Sequence, residues 1–312
     1  MLKNRIRLML LVSVVQSTCF GQIEITLNRT FVHDFANRAT ITSEFNVGKT
    51  SAIHRPSEDG DIHAAGSGTN IGLIAVAEVM NAKTEKTHAV RQLTQSASSG
   101  QALQITGAWR LWCEHGGEQQ FVQGQPVPPI ESSGQAHVFE IHPATKVGGT
   151  DVRHTWVPID GYTYKEADNA FKTYERTRSE ITFDSSTVTI STEQAGDNYT
   201  EFLAQLIEDP HDLTDGKSVF VDVYDTQGEL LVHKRRLIFV AGTPPEQIVG
   251  GKHKNDWIQV VGIPRIDLAL VQYRVQQAET HGPNANSIHW NLPYELIVGA
   301  VTDEDPPNPE NH

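Results

Sequence analysis

Apolar and polar residues alternate over many short stretches of this chain. Ile23-Glu-Ile-Thr-Leu27 does so, as do 39–42, 188–191 and 219–223. A period of two marks a strand with one face buried. Turn formers fall between such runs, at Asp59-Gly60, Gly116-Gly117, Gly148-Gly149, Asp215-Gly216 and Gly250-Gly251. Two stretches carry helical spacing instead. In 164–178 the apolar positions are Ala167, Phe171 and Tyr174; in 199–207 they are Tyr199, Phe202, Leu203 and Leu206. The pattern predicts an all-β chain with two short helices.

A repeat divides it. Gln104-Ile-Thr-Gly-Ala-Trp-Arg110 and Gln259-Val-Val-Gly-Ile-Pro-Arg265 share the form Q-apolar-x-G-x-x-R. Glu140 and Glu295 each stand between an aromatic and an aliphatic residue. Each also lies 33 residues after the glycine of its repeat. One β unit is thus expected twice, as two small barrel-like domains of the oligonucleotide/oligosaccharide-binding (OB-like) kind, or as two sandwiches. The expected bounds are 22–160 for the first domain, 161–178 for a helical linker and 179–302 for the second. Residues 303–312 are acidic and proline-rich, which predicts a disordered tail.

The first 21 residues set the compartment. Lys3, Arg5 and Arg7 precede the apolar run 8–15, and small residues follow up to Gly21. That is the layout of a secretory signal peptide, and the run is too short to span a bilayer. An exported protein, periplasmic or extracellular, is expected, with no membrane span once the signal is removed. Two cysteines exclude a disulfide scaffold. The net charge of -13 argues against nucleic acid as a partner.

Candidate chemistry gathers in the first domain. Asp61 and His63 lie two apart, so on a strand they share a face. Glu140 and His142 do the same, and Glu78 ends an apolar run. If these strands are neighbours, Asp61, His63, Glu78 and His142 converge on a set that suits zinc or another divalent metal. Arg110 can pair with Glu140, and Arg265 with Glu295. A pair present in both copies reads as architecture, whereas His142 aligns with Ile297. Trp109, Trp112, Glu114 and His115 form a second cluster, with a flat apolar ring and polar rim suited to a sugar. The long loop 114–131 follows it. His233-Lys-Arg-Arg236 reads as a solvated strand end, and Cys113, beside Leu111 and Trp112, as buried.

The string Asp59-Gly-Asp-Ile-His63 with Phe139-Glu-Ile-His-Pro143 resembles a family of exported bacterial β-rich proteins. That family carries a D-G-D-x-H segment followed by E-[IL]-H-P. The resemblance covers about 56–147. It implies a bacterial, exported protein with a barrel-like core and brings no particular activity. No nucleophile elbow or phosphate loop occurs. The sequence therefore reads as a binding module for a glycan, a peptide or a partner protein, with no cofactor. The alternative is a metal-dependent hydrolase working at His63 and His142.

Overall fold

The computed structural model describes residues 22–196, 198–280 and 287–306. The expected signal peptide and residues 307–312 lie outside the described residues. The chain opens with β1 (Ile23–Asn28) and α1 (Arg29–Phe35). It continues through β2 (Thr40–Thr50), β3 (Ile62–Gly68), β4 (Ile74–Val79) and α2 (Ala89–Ser99). Then come β5 (Leu103–Leu111), β6 (Gln120–Val122), β7 (Phe139–Val147) and β8 (Thr150–Asp151). The middle holds β9 (Lys165–Glu166), α3 (Ala167–Arg176), β10 (Arg178–Phe183) and β11 (Thr187–Thr192). The second half holds β12 (Thr200–Leu206), β13 (His211–Leu213), β14 (Gly216–Tyr224), β15 (Leu230–Val240) and α4 (Pro244–Val249). It ends with β16 (Trp257–Ile266), α5 (Leu268–Thr280), β17 (Ser287–Asn291) and β18 (Tyr294–Asp303).

Two closed barrels result. The first runs β2-β3-β4-β7-β5 and closes back on β2. Its β4–β7 contact is parallel and the others are antiparallel. The second runs β12-β14-β15-β18-β16 and closes on β12, with only β15–β18 parallel. Counted within each unit, both have the strand order 1-2-3-5-4, and both place a helix between strands three and four. That is the five-stranded OB barrel, repeated; closure decides against a sandwich.

The repeat noticed in the sequence is strand four of each barrel. Arg110 stands opposite Glu140 and Arg265 opposite Glu295. Gly107 and Gly262 each sit at a register shift. A Cβ on Gly107 would lie 2.5 Å from the Pro143 carbonyl oxygen, and one on Gly262 would lie 2.7 Å from the Phe202 ring. The strands cross too closely there for any side chain.

A third sheet, ordered β17-β10-β11-β1-β6, ties the barrels together. β6 comes from the loop between strands four and five of barrel one, and β17 from the same loop of barrel two. This corrects the expected second domain: the hairpin 178–192 belongs to the third sheet, and barrel two starts at Thr200. It also corrects the helix expected at 199–207, which is strand β12. Phe202, Ala204 and Leu206 join the main core, while Leu203 packs with Tyr224 and Trp257 on the other side. Leu203 stands between Glu201 and Gln205 on the partly buried face of the strand, and that break in the polar alternation makes the apolar run mimic a helix. The helix expected in 164–178 is α3, with Ala167, Ala170, Phe171 and Tyr174 buried. Residues 304 and 305 are held rather than loose. Lys252 Nζ donates to the Glu304 carbonyl at 2.6 Å and to Asp305 Oδ1 at 2.5 Å. Among the described residues no helix is long and apolar enough to cross a membrane.

Candidate functional site

Alternation places one polar row across four strands of barrel one. On β3 and β4, Ile62, Ala64, Ala77 and Val79 join the main core, so His63 and Glu78 point the other way. On β7 and β5, Ile141 and Leu111 point inward, and Glu140, His142 and Arg110 outward. His63 faces Glu78 in register, and Arg110 faces Glu140. Asp61, just before β3, joins the row. Barrel two covers it, and Tyr199, immediately before β12, reaches in with a left-handed backbone (φ 53°). Asp61 and His142 are 0% exposed and Glu78 4%.

His142 is the hub. Its Nδ1–H donates to Glu140 Oε2 at 3.2 Å and lies 3.4 Å from Glu78 Oε2. Its Nε2–H donates to the Tyr199 hydroxyl at 2.8 Å, which donates in turn to Asp61 Oδ2 at 2.5 Å. Arg110 donates to Glu140 at 2.6 Å and to Glu114 at 2.7 Å. Burial alone would lower the His142 pKa, but the surrounding carboxylates of Glu78, Asp61 and Glu140 outweigh it and push it up to about 10. Burial likewise opposes ionisation of Glu140, yet Arg110 beside it holds it well below the usual range. Burial pushes Glu78 and Asp61 up. His142 is thus an imidazolium caged by acids.

Both ends of the row reach the surface. At one end His63 Nε2 lies 3.5 Å from Glu78 and has no hydrogen-bond partner among the described residues. Burial, then the neighbouring His54, lowers His63 to about 4, so it is neutral at pH 7. The His54 and His63 rings are 4.4 Å apart, and His54 Nδ1 is 2.8 Å from Asp59 Oδ1. At the other end His137 lies 3.3 Å from Glu140 and stacks on His115, which is half exposed.

The structure thus gathers Asp61, His63, Glu78 and His142. His63 and His142 flank the same oxygen of Glu78. Three trios bring potential metal-ligand atoms within 4.8 Å of one another: Asp61/Glu78/His142, His54/Asp59/His63 and His115/His137/Glu140. A metal ligand must offer a bare nitrogen. Both His142 nitrogens are engaged by acids or the phenol, whereas His63 Nε2 is free, so the rim trio has the better donor set. His54, Asp59, His137 and Tyr199 were not among the expected site residues. Asp59 reads as a turn residue, and Tyr199 is distant in sequence from every strand it touches.

The tryptophan cluster is corrected. Trp109 and Trp112 are buried and present no face to a sugar. Trp109 donates from Nε1 to the Arg38 carbonyl at 2.7 Å and lies under the Arg265 guanidinium, 3.6 Å from it. Trp112 packs edge-on against Tyr174. Glu114 is engaged by Arg110, leaving His115 as the accessible member. Both Arg–Glu pairs form, at 2.6 Å and 2.7 Å. The basic run 233–236 is also corrected. Arg236 is buried, 3.3 Å from Glu295, and Arg235 lines a cavity. Cys113 is buried, and that burial pushes its thiol up to about 12.

No family model matches the chain, and no curated protein matches it. Solved structures do align with it. One is the HINa domain of Ifi202 in complex with a 20-bp double-stranded DNA. It has 10% identity and a TM-score of 0.20, covering 83% of this chain and 93% of that one. A second, described as structural mimicry for functional antagonism, has 10% identity and a TM-score of 0.20 over 86% and 95%. A third, on abrogation of activation of pro-inflammatory cytokines, has 11% identity and a TM-score of 0.18 over 84% and 89%. The exclusion of nucleic acid as a partner, which rested on net charge, is withdrawn. Its physical weakness is plain. Net charge averages over the whole surface, while at physiological salt a ligand feels charges within about 8 Å.

Proposed function

We propose that this chain is an exported binding protein whose two OB barrels act as one body and whose ligand is taken at the loops, not at the histidine–carboxylate row. The burial of Asp61, Glu78 and His142 beneath barrel two carries this reading. General acid–base chemistry needs the reacting atom within hydrogen-bond reach, and these three side chains, unlike His63 and His115 at the rims, have almost no surface left for a substrate to touch. The row's charges also answer one another, which suits a clamp. Thermal denaturation with a panel of probes tests it: a single-stranded DNA, a heparin hexasaccharide, a chitin tetramer and a casein digest. One probe should raise Tm by roughly 5 °C or more at saturation. No shift with any probe, together with cleavage of bis-p-nitrophenyl phosphate that His142→Ala abolishes, would overturn it in favour of the hydrolase.

The unpartnered His63 Nε2 supports a second reading, a divalent metal held by His54, Asp59 and His63 at the rim. The metal would pin the 51–61 loop and polarise bound water. Elemental analysis of protein purified without tag or chelator tests it. Near-stoichiometric zinc lost in His63→Ala would support the site, and no metal in either protein would end it.

A further inference from the structure

We infer that the cavity where α3, β15, α5 and β17 meet binds a nucleotide unit, with the phosphate on Arg178, Arg235 and Arg274 and the base on Trp290. The cavity holds about 310 Å³. Three guanidiniums line it, against the single carboxylate of Glu175. An acidic chain that gathers three arginines here carries an excess positive charge that an anion would neutralise. Arg235 donates to Glu175 at 2.6 Å and stacks over Tyr294 at 4.4 Å. Its Nε is buried with no partner among the described residues, a donor left for a ligand to satisfy. Arg178 and Arg274 are held by Asn291, through its side-chain oxygen at 3.1 Å and its carbonyl at 3.3 Å. The guanidinium fork matches phosphate oxygens in pairs.

The aromatic half of the site is as clear. Trp290 is 58% exposed, on the edge strand β17, with the Arg274 guanidinium 5.0 Å from its ring. An exposed indole beside guanidiniums is the pairing that holds single-stranded nucleic acid, base on ring and phosphate on cation. A sulfated glycan carries charge all round its sugars, whereas a nucleotide sets an uncharged flat base against the exposed indole and its charge on the arginines, so the ring favours the nucleotide.

This inference rests on the binding-protein reading and is tested by anisotropy of a fluorescent dT12, with dTMP and a heparin hexasaccharide as competitors. Arg178→Glu/Arg274→Glu should abolish binding. Trp290→Ala should weaken it about tenfold with Tm unchanged. Affinity should fall steeply between 50 and 200 mM salt. Displacement by dTMP at concentrations comparable to dT12 would mark a free nucleotide as the ligand; a large excess requirement would mark a strand. Binding of dT12 that neither variant changes would overturn the site but leave the binding reading standing. Heparin binding that survives Trp290→Ala, with no dT12 binding, would overturn the nucleotide in favour of a sulfated glycan. Failure of all three probes would overturn the inference, while the chitin and casein arms above would still decide the broader reading.

Discussion

The two barrels share a strand order and an Arg–Glu pair, yet the faces they turn toward each other differ. Barrel one presents His63, Glu78, Glu140 and His142. At the position of His142, barrel two has Ile297, which packs with Ile238, Ile263 and Tyr199. What the barrels share is a reciprocal clasp. Arg110 Nε donates to the Pro264 carbonyl at 3.0 Å, and Arg265 Nη1 donates to the Trp109 carbonyl at 3.0 Å. Each arginine reaches the residue just before its counterpart, so strands β5 and β16 meet about a local two-fold axis. The clasp is architecture, present twice, and the histidines are an addition to one copy. The electrostatics differ accordingly. Burial works against the charge on Arg110, but Glu140 and Glu114 outweigh it and raise its pKa; on Arg265 burial wins and lowers it. Burial also raises Glu295, whereas Glu140 is held low.

The sharpest way to break the comparison is to remove one arginine. Arg110→Met and Arg265→Met should each cost about 3–5 kcal/mol by urea denaturation, because each takes the shortest-range cation from a buried carboxylate. The second substitutions separate the barrels. Arg265→Met/Glu295→Leu should recover part of the loss, because Arg236, 3.3 Å from Glu295, keeps its bonds to Ala36 and Asn37. Arg110→Met/Glu140→Leu should not, because Glu140 also holds His137 and His142. Equal recovery in both would show that the histidines add nothing to the clasp.

Next in size are the paired glycines. Gly107→Ala drives a Cβ into the backbone at Pro143 and Ala144, which cannot move freely. Gly262→Ala meets mainly the Phe202 and Leu296 side chains. Both should destabilise by roughly 1–3 kcal/mol, Gly107→Ala more. The reverse order in thermal melts would mean that barrel one is the more pliant.

The last comparison is in pH, and it belongs to barrel one. The folded His142 pKa, about 10, exceeds the ordinary histidine value of 6.5. Its contribution is therefore full below pH 6.5 and lost as pH rises toward 10. His63, lowered to about 4, works the other way: the unfolded chain takes its proton first, so stability falls as pH drops from 6.5 toward 4. His142→Gln should flatten the alkaline limb of stability against pH, and His63→Phe the acid limb by about 2 kcal/mol at pH 4. If Ile297→Gln flattens the alkaline limb as His142→Gln does, the assignment to His142 is wrong.

The duplication was legible because its anchors are a glycine no side chain can replace and a charge pair at fixed spacing. The convergence of Asp61, His63, Glu78 and His142 was legible from period-two alternation. What escaped reading depended on partners far along the chain. β12 looked helical because Leu203 interrupts its polar face, and Tyr199 gave no local sign of reaching Asp61. Trp109 and Trp112 carried ring chemistry, but only the docking of barrel two shows that they are sealed. The arginine cavity draws Arg178, Arg235 and Arg274 from three separate elements, so no single window contained it.

The third sheet has a consequence for synthesis. Of the described strands β1 is made earliest, yet its partners β6 and β11 both come far later; the Thr26 and Thr189 hydroxyls that meet across β1 and β11 at 2.9 Å are 163 residues apart. At about 5–20 residues per second, β1 emerges and then waits on the order of ten seconds with its edges bare. Neither barrel can be finished off by this sheet until most of the chain exists. A molecule sewn together by its earliest described strand stays open through most of its own synthesis and fastens late.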